Sequence, residues 1–372
     1  MLRKLLFYLL SLILLMVGVK YIEKQYEINV ISEVESKLNQ ANEKYKITDT
    51  FFSIIDEIKG LFGEAEIGED LEEFSEEIRK EVKLEKPTKH LFSIHNIEIG
   101  QPKEIVEHQL GKEKRVSMNE YGTNWYTYHQ NYQQFVMVAY DNEQNVAGLY
   151  TNQNLITSTV GIKFGTAKEQ VRQILGEPLE KIQKGFIVYQ IQKDRDYDIF
   201  HHNDSYITIF YDKHANDTVT AIQIISEKLE NKKTNVYTPA SEELKIGFEY
   251  QLFDLTNASR VNHGLSVLTW DEHVQQTARK HSKDMAEHNY FSHTNLKGES
   301  PFDRMLRDAV KFSLAGENLA YGQLSSIFAH EGLMNSKGHR ENILQPDFQY
   351  LGVGVAFNSE SHPYYTQNFY AK

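Results

Sequence analysis

The side chains best suited to chemistry in this chain are histidines and carboxylates, because cysteine is absent from all 372 residues. A thiolate nucleophile, a disulfide framework and a Cys-based zinc site are therefore excluded. No serine occupies a G-x-S-x-G elbow. His330-Glu331 opens the H-E-x-x-H pattern of a zinc-protease helix, but the second His position holds Met334, so that reading fails. His281 and His288 stand seven residues apart on one side of a predicted helix, where solvated side chains are expected rather than ligands. His201 and His202 are adjacent, so on a strand their rings diverge. Three short runs remain: YFSHTN at 290–295, AGENLAYG at 315–322 and MNSKGHRENIL at 334–344.

These runs need a scaffold, and the flanking sequence supplies one. Leu244, Phe248, Leu252 and Leu255 form a helical stripe that breaks at Asn262-His263-Gly264. Trp270-Asp271 opens a second helix over 272–288, with Val274, Ala278 and Met285 on its buried side. Apolar runs at 350–357 and 364–370 read as closing strands.

In order and spacing, the opening helix and the three runs resemble a bacterial CAP-superfamily domain, the SCP-like extracellular domain of the cysteine-rich secretory protein, antigen 5 and pathogenesis-related 1 type. The resemblance covers residues 244–372. It implies an α-β-α sandwich with a three-stranded antiparallel sheet and a central cleft lined by two His and one or two Glu. Those positions carry over onto His293, Glu317 and His339. Eukaryotic members commonly place a second Glu on the helix before the last His, and the best-matching position here is Ser336, which weakens any mechanism needing two carboxylates. Glu331 and Asn318 are further candidate neighbours of the cavity. Asn342 is expected to brace a helix turn and Arg340 to pair with a carboxylate. Tyr290, Phe291, Phe302, Tyr364, Tyr365, Phe369 and Tyr370 are expected in the core rather than on a glycan-stacking surface.

Two imidazoles and a carboxylate around one cavity support three chemistries. His293 and His339 could hold Zn²⁺ through neutral ring nitrogens, with Glu317 as a third ligand, an orienter or a base on bound water. They could exchange protons near neutrality. They could also be a hydrogen-bonded scaffold for a polar cleft. The reading carried forward is a binding protein; a hydrolase of cell-envelope peptide or glycan, and a purely structural interaction module, are the alternatives.

Upstream lies an internal repeat. Ile99-Gly100, Lys103-Glu104, Val106 and Leu110-Gly111 recur as Phe164-Gly165, Lys168-Glu169, Val171 and Leu175-Gly176. Each copy reads as a short apolar strand, a Gly turn and a helix ending at Gly, followed by strands at 135–141 and 146–150 or at 206–212 and 219–225. This arrangement is similar to the CAP-associated N-terminal module of bacterial proteins. The fold class expected is α+β: a two-repeat module over 91–235 and the sandwich over 244–372, preceded by a helical stalk over 23–90. Residues 56–83 of the stalk hold 11 acidic residues against four basic ones, which reads as a solvated spacer.

Arg3 and Lys4 precede the uncharged run Leu5 to Val19, and no A-x-A cleavage signal follows. Residues 1–22 are therefore expected to form an uncleaved single-pass anchor that places the bulk of the chain outside the cytoplasm, in preference to a cleaved signal or a buried helix. A partner on the cell envelope or surface is the corresponding expectation. The net charge of -12, without a basic cluster, argues against nucleic acid.

Overall fold

The computed structural model describes residues 82–184, 187–191 and 195–372, so the expected anchor and nearly all of the stalk lie outside the described residues. Residues 83–262 and 267–372 form one compact unit.

The first half of the main unit is built on the repeat. Its elements are β1 (Phe92–Ile94), α1 (Lys103–Leu110), β2 (Arg115–Met118), β3 (Asn124–Gln130), β4 (Gln133–Tyr140), β5 (Val146–Thr151), β6 (Ile156–Ser158), α2 (Lys168–Leu175), β7 (Lys181–Lys184), β8 (Ile187–Gln190), β9 (Tyr197–His202), β10 (Ser205–Asp212), β11 (Thr218–Ser226) and α3 (Glu227–Lys232). Seven strands pair in the order β2-β3-β4-β5-β11-β10-β9, so the two copies join at their centre through β5 and β11. The copies share backbone bonding as well as sequence. The Gly100 N–H donates to Val146 at 2.7 Å and Lys103 to Gln144 at 2.8 Å; Gly165 donates to Val219 at 2.8 Å and Lys168 to Asp217 at 3.0 Å. A short strand precedes each Gly turn, β1 before Gly100 and β6 before Gly165, and the two pair antiparallel with one another.

The second half contains α4 (Glu242–Asn262), β12 (Thr269–Trp270), α5 (Glu272–His288), α6 (Pro301–Arg307), β13 (Leu314–Tyr321), α7 (Ser326–Asn335), α8 (Lys337–Ile343), β14 (Tyr350–Phe357) and β15 (Pro363–Ala371). Its sheet has the order β12-β14-β15-β13: the three long strands are antiparallel, and the two-residue β12 adds in parallel to β14. Alternate residues of β14 and β15 serve opposite layers. Leu351, Val353, Val355, Tyr365 and Phe369 pack with Leu244, Phe248 and Leu252 of α4. On the other face Tyr364 packs with Met285 of α5, and Tyr370 with Val274. Helix α5 lies so close to β14 that a Cβ on Gly354 would come within 2.1 Å of the Arg279 nitrogen. The result is the expected α-β-α sandwich.

The halves share a core. Trp125, Phe135 and Met137 of the repeat module cluster with Leu255, Ala258, Ile327 and Phe328 of the sandwich. Polar contacts surround that cluster: Arg115 pairs with buried Asp254 at 2.8 Å, and Tyr132 donates to the same carboxylate at 3.0 Å. A Cβ on Gly247 would stand 2.1 Å from the Met118 carbonyl, so only glycine permits this approach of α4 to β2.

Candidate functional site

Strand β13 is an edge strand, and it links the three motif runs: Glu317 bonds His293, and Asn318 bonds the His339 carbonyl. Glu317 projects to the α5 face, between Ala315 and Leu319, whereas Asn318 projects to the other. Loops and helices of both layers reach around the open edge. Asn342 of α8 donates to the outward Glu317 carbonyl at 3.2 Å and to Asn318 Oδ1 at 2.9 Å, which satisfies acceptors that an edge would leave bare. Asn318 in turn donates to the His339 carbonyl at 3.1 Å and to Gln367 at 3.2 Å. Both asparagines thus brace the site without entering its chemistry.

The Glu317 carboxylate is buried, with its side chain 1% exposed, and both oxygens are engaged. Oε1 accepts from His293 Nδ1 at 2.9 Å, and Oε2 accepts from Arg304 Nη2 at 2.6 Å. Arg304, itself buried, also donates to the His293 and Glu299 carbonyls at 2.7 and 3.0 Å. One guanidinium therefore fixes both the carboxylate and the loop that carries the histidine. Sequence reasoning passed over Arg304. The available signal was the start of α6, where Ser300 and Asp303 form a reciprocal capping box with Pro301 at the first helical position.

His281 also differs from expectation. It is buried, and its Nε2 donates to the Ser292 carbonyl at 3.0 Å, which supports the same loop from α5. Its Nδ1 is buried without a hydrogen-bond partner. Burial pushes its pKa below the ordinary 6.5, with Glu317 opposing and Arg304 adding to that shift. His288, seven residues on, is half exposed beside Asp284.

His293 stands on the open side of this arrangement, with its side chain 51% exposed. Its Nδ1–H donation to Glu317 leaves Nε2 as the lone-pair nitrogen. His339 sits on the first turn of α8, where its Nδ1 and the Ser336 hydroxyl are 2.8 Å apart. Burial lowers the His339 pKa, and the neighbouring His293 lowers it further. Ser336, at the position compared with a second cavity Glu, thus orients an imidazole and adds no carboxylate.

Glu331 is held elsewhere, by Tyr150. Its carboxyl is buried against the repeat module, where Tyr150 donates to Oε1 at 2.6 Å, and burial raises its pKa to about 7. Among the described residues no group of three or more His, Cys, Asp or Glu is placed to hold a metal ion. Of the aromatic residues expected in the core, Tyr364, Tyr365, Phe369 and Tyr370 are buried, but Phe291 and Phe302 are exposed. His201 lies on the surface and meets Glu227 at 3.2 Å.

Two family models match separate stretches of the chain. Residues 99–236 match a family model described as CAP-associated N-terminal, and residues 253–369 match one described as the cysteine-rich secretory protein family. Over 320 residues the chain is 29% identical to the uncharacterized membrane protein YlbC of Bacillus subtilis (strain 168), covering 79% of this chain and 87% of that protein. Over 141 residues it is 40% identical to the uncharacterized protein YkwD of the same organism, covering 38% of this chain and 53% of that one. A solved extracellular protein containing a SCP domain from Bacillus anthracis str. Ames superposes with a TM-score of 0.64 at 27% identity, covering 79% of this chain and 99% of its own. A cysteine-rich secretory protein from Staphylococcus aureus subsp. aureus Mu50 shares the fold, with a TM-score of 0.58 at 16% identity, over 77% of this chain and 95% of its own.

Proposed function

Starting from residues 99–236 as a CAP-associated N-terminal domain and residues 253–369 as a CAP domain, we propose that this is a membrane-anchored, extracytoplasmic binding protein whose cleft takes its ligand through His293 and His339. The observation that carries the reading is the state of the two rings. Each has Nδ1 held by a neighbour, Glu317 or Ser336, and among the described residues neither Nε2 has a protein partner. The Glu317 carboxylate only accepts, so His293 presents a lone pair at Nε2; the Ser336 hydroxyl can donate or accept, and the tautomer in which it accepts gives His339 a lone pair as well. Such a pair suits a ligand that donates hydrogen bonds, or a divalent metal ion completed by the ligand's own donors.

A resident zinc site does not fit. The protein offers two imidazoles, and both Glu317 oxygens are already engaged, whereas protein zinc sites draw on three or four side chains. The same engagement favours binding over hydrolysis, because a carboxylate clamped by Arg304 and His293 is a poor base for water. The anchored location is supported by the uncharged run at 5–19, by the printed name of the Bacillus subtilis membrane protein and by the extracellular Bacillus anthracis homologue. Among the described residues no helix is long and apolar enough to cross a membrane, and the candidate anchor lies outside them.

Calorimetric titration of the detergent-solubilised full chain with Zn²⁺ as probe tests the site. The expected result is a weak heat that disappears in His293→Ala/His339→Ala. Equal heats in the two proteins would remove metal from the proposal. No heat in either would restrict the cleft to hydrogen-bonding ligands.

A further inference from the structure

The two copies of the repeat end their central strands differently. In the first copy Asp141 follows β4, and its Oδ1 accepts from the Glu143 and Asn145 N–H groups, so the carboxylate closes its own turn. In the second copy Asp212 ends β10. Its Oδ1 accepts from the His214 N–H in the same manner, but its Oδ2 accepts from Arg340 of α8 at 3.1 Å. The backbone on either side of Asp212 is also held. Asn335, the last residue of α7, accepts from the Lys213 N–H at 2.9 Å and donates to the Tyr211 carbonyl at 2.8 Å.

These contacts straddle the joint between α7 and α8. Ser336 alone separates the helices, in an extended conformation with φ -96° and ψ 118°. It follows Asn335 directly and precedes Arg340 by four residues, and its hydroxyl is the group beside His339 Nδ1. Arg340 also donates to the Met334 carbonyl at 3.2 Å, which ties the end of α7 to the start of α8. We propose that the CAP-associated domain is a working part of the CAP cleft: the end of β10, gripped by Asn335 and Arg340, fixes the α7–α8 joint and so positions the ring of His339. Asn335 and Asp212 are positioning residues in this scheme. The consequence for ligand affinity rests on the binding reading above; the effect on the ring does not.

The test is the ring-nitrogen NMR signature of His339 in the ¹⁵N-histidine-labelled full chain, recorded where the ring is neutral and identified by its loss in His339→Gln. Wild type is expected to show one dominant tautomer. Asn335→Ala should shift these signals toward a tautomer mixture and, where wild type binds Zn²⁺, weaken that affinity about tenfold. Tyr132→Phe removes a hydrogen bond to Asp254 of α4 across the same domain boundary, away from the joint, and should leave the ring signature at its wild-type value. An Asn335→Ala signature indistinguishable from wild type would overturn the proposal, because the CAP domain alone would then hold the joint. Equal shifts in both variants would also overturn it, as general loosening. Should Asn335→Ala fail to fold, the isosteric Asp212→Asn is read by the same criteria. Absence of zinc binding in wild type, with the ring signature still responding to Asn335→Ala, would count against the binding reading only.

Discussion

Two buried carboxylates, Glu317 and Glu331, lie on different sides of the CAP domain and are handled in opposite ways. Glu317 lies beneath His293 and meets a guanidinium and an imidazole N–H, so its negative charge is matched where it is buried. Glu331 faces the repeat domain and meets a tyrosine hydroxyl, with Asp212 near enough to raise its pKa and Arg340 to lower it. Burial outweighs the hydrogen bond and places its pKa near 7. The contrast shows that burial alone does not decide what a carboxylate does. Beside Arg304 it is a fixed anion that orients a histidine; beside Tyr150 it can hold a proton at the boundary between domains.

Removing the match at Glu317 should produce the largest effect. Arg304→Ala leaves Oε2 buried without a partner, and breaking a buried pair from one side costs about 3–5 kcal/mol. Chemical denaturation of the full chain should register this loss, with Glu317→Gln/Arg304→Met recovering part of it. A loss below about 1 kcal/mol would mean that water replaces the guanidinium and that the two carboxylates are less different than described.

Glu331 should reveal itself through pH. Its folded-state pKa of about 7 is raised above the ordinary 4.5, so folding takes up a proton between those values. The associated stabilisation is fully present below pH 4.5 and is lost as pH rises through 7, with a span on the order of 3 kcal/mol. Glu331→Gln keeps an acceptor for Tyr150 and removes the titration. Its melting temperature should therefore gain on wild type between pH 5 and pH 8, and parallel curves would show that Glu331 is not protonated in the fold.

The contact of His293 with Glu317 joins two of the short runs singled out in the sequence, and the sandwich was readable because its helices and strands have clean periods. The braces were harder to see. His281 falls on the stripe formed by Val274, Ala278 and Met285, so its burial could have been read from spacing; pairing it with His288 obscured this. Glu331 was a candidate neighbour of the cavity, yet its partner Tyr150 lies 181 residues away on a strand of the other domain. No local pattern encodes such a contact. The repeat revealed the common core of its two copies but not their divergence, since Asp141 and Asp212 look equivalent until Arg340 is placed beside one of them.

The smallest expected effect is the sharpest test of whether cleft and boundary are separate. Ser336→Ala removes the hydroxyl beside His339 Nδ1, a partly buried hydrogen bond whose loss should cost under about 1 kcal/mol. Melting temperature will barely register it, but the His339 ring nitrogens should lose their tautomer preference. The Glu331 carboxyl carbon, followed by ¹³C NMR through its titration, should keep its midpoint, because Tyr150 and the shared core hold that side chain independently of Ser336. A displaced midpoint would show that a change in the cleft is felt at the domain boundary, and the two carboxylates would then belong to one network rather than two.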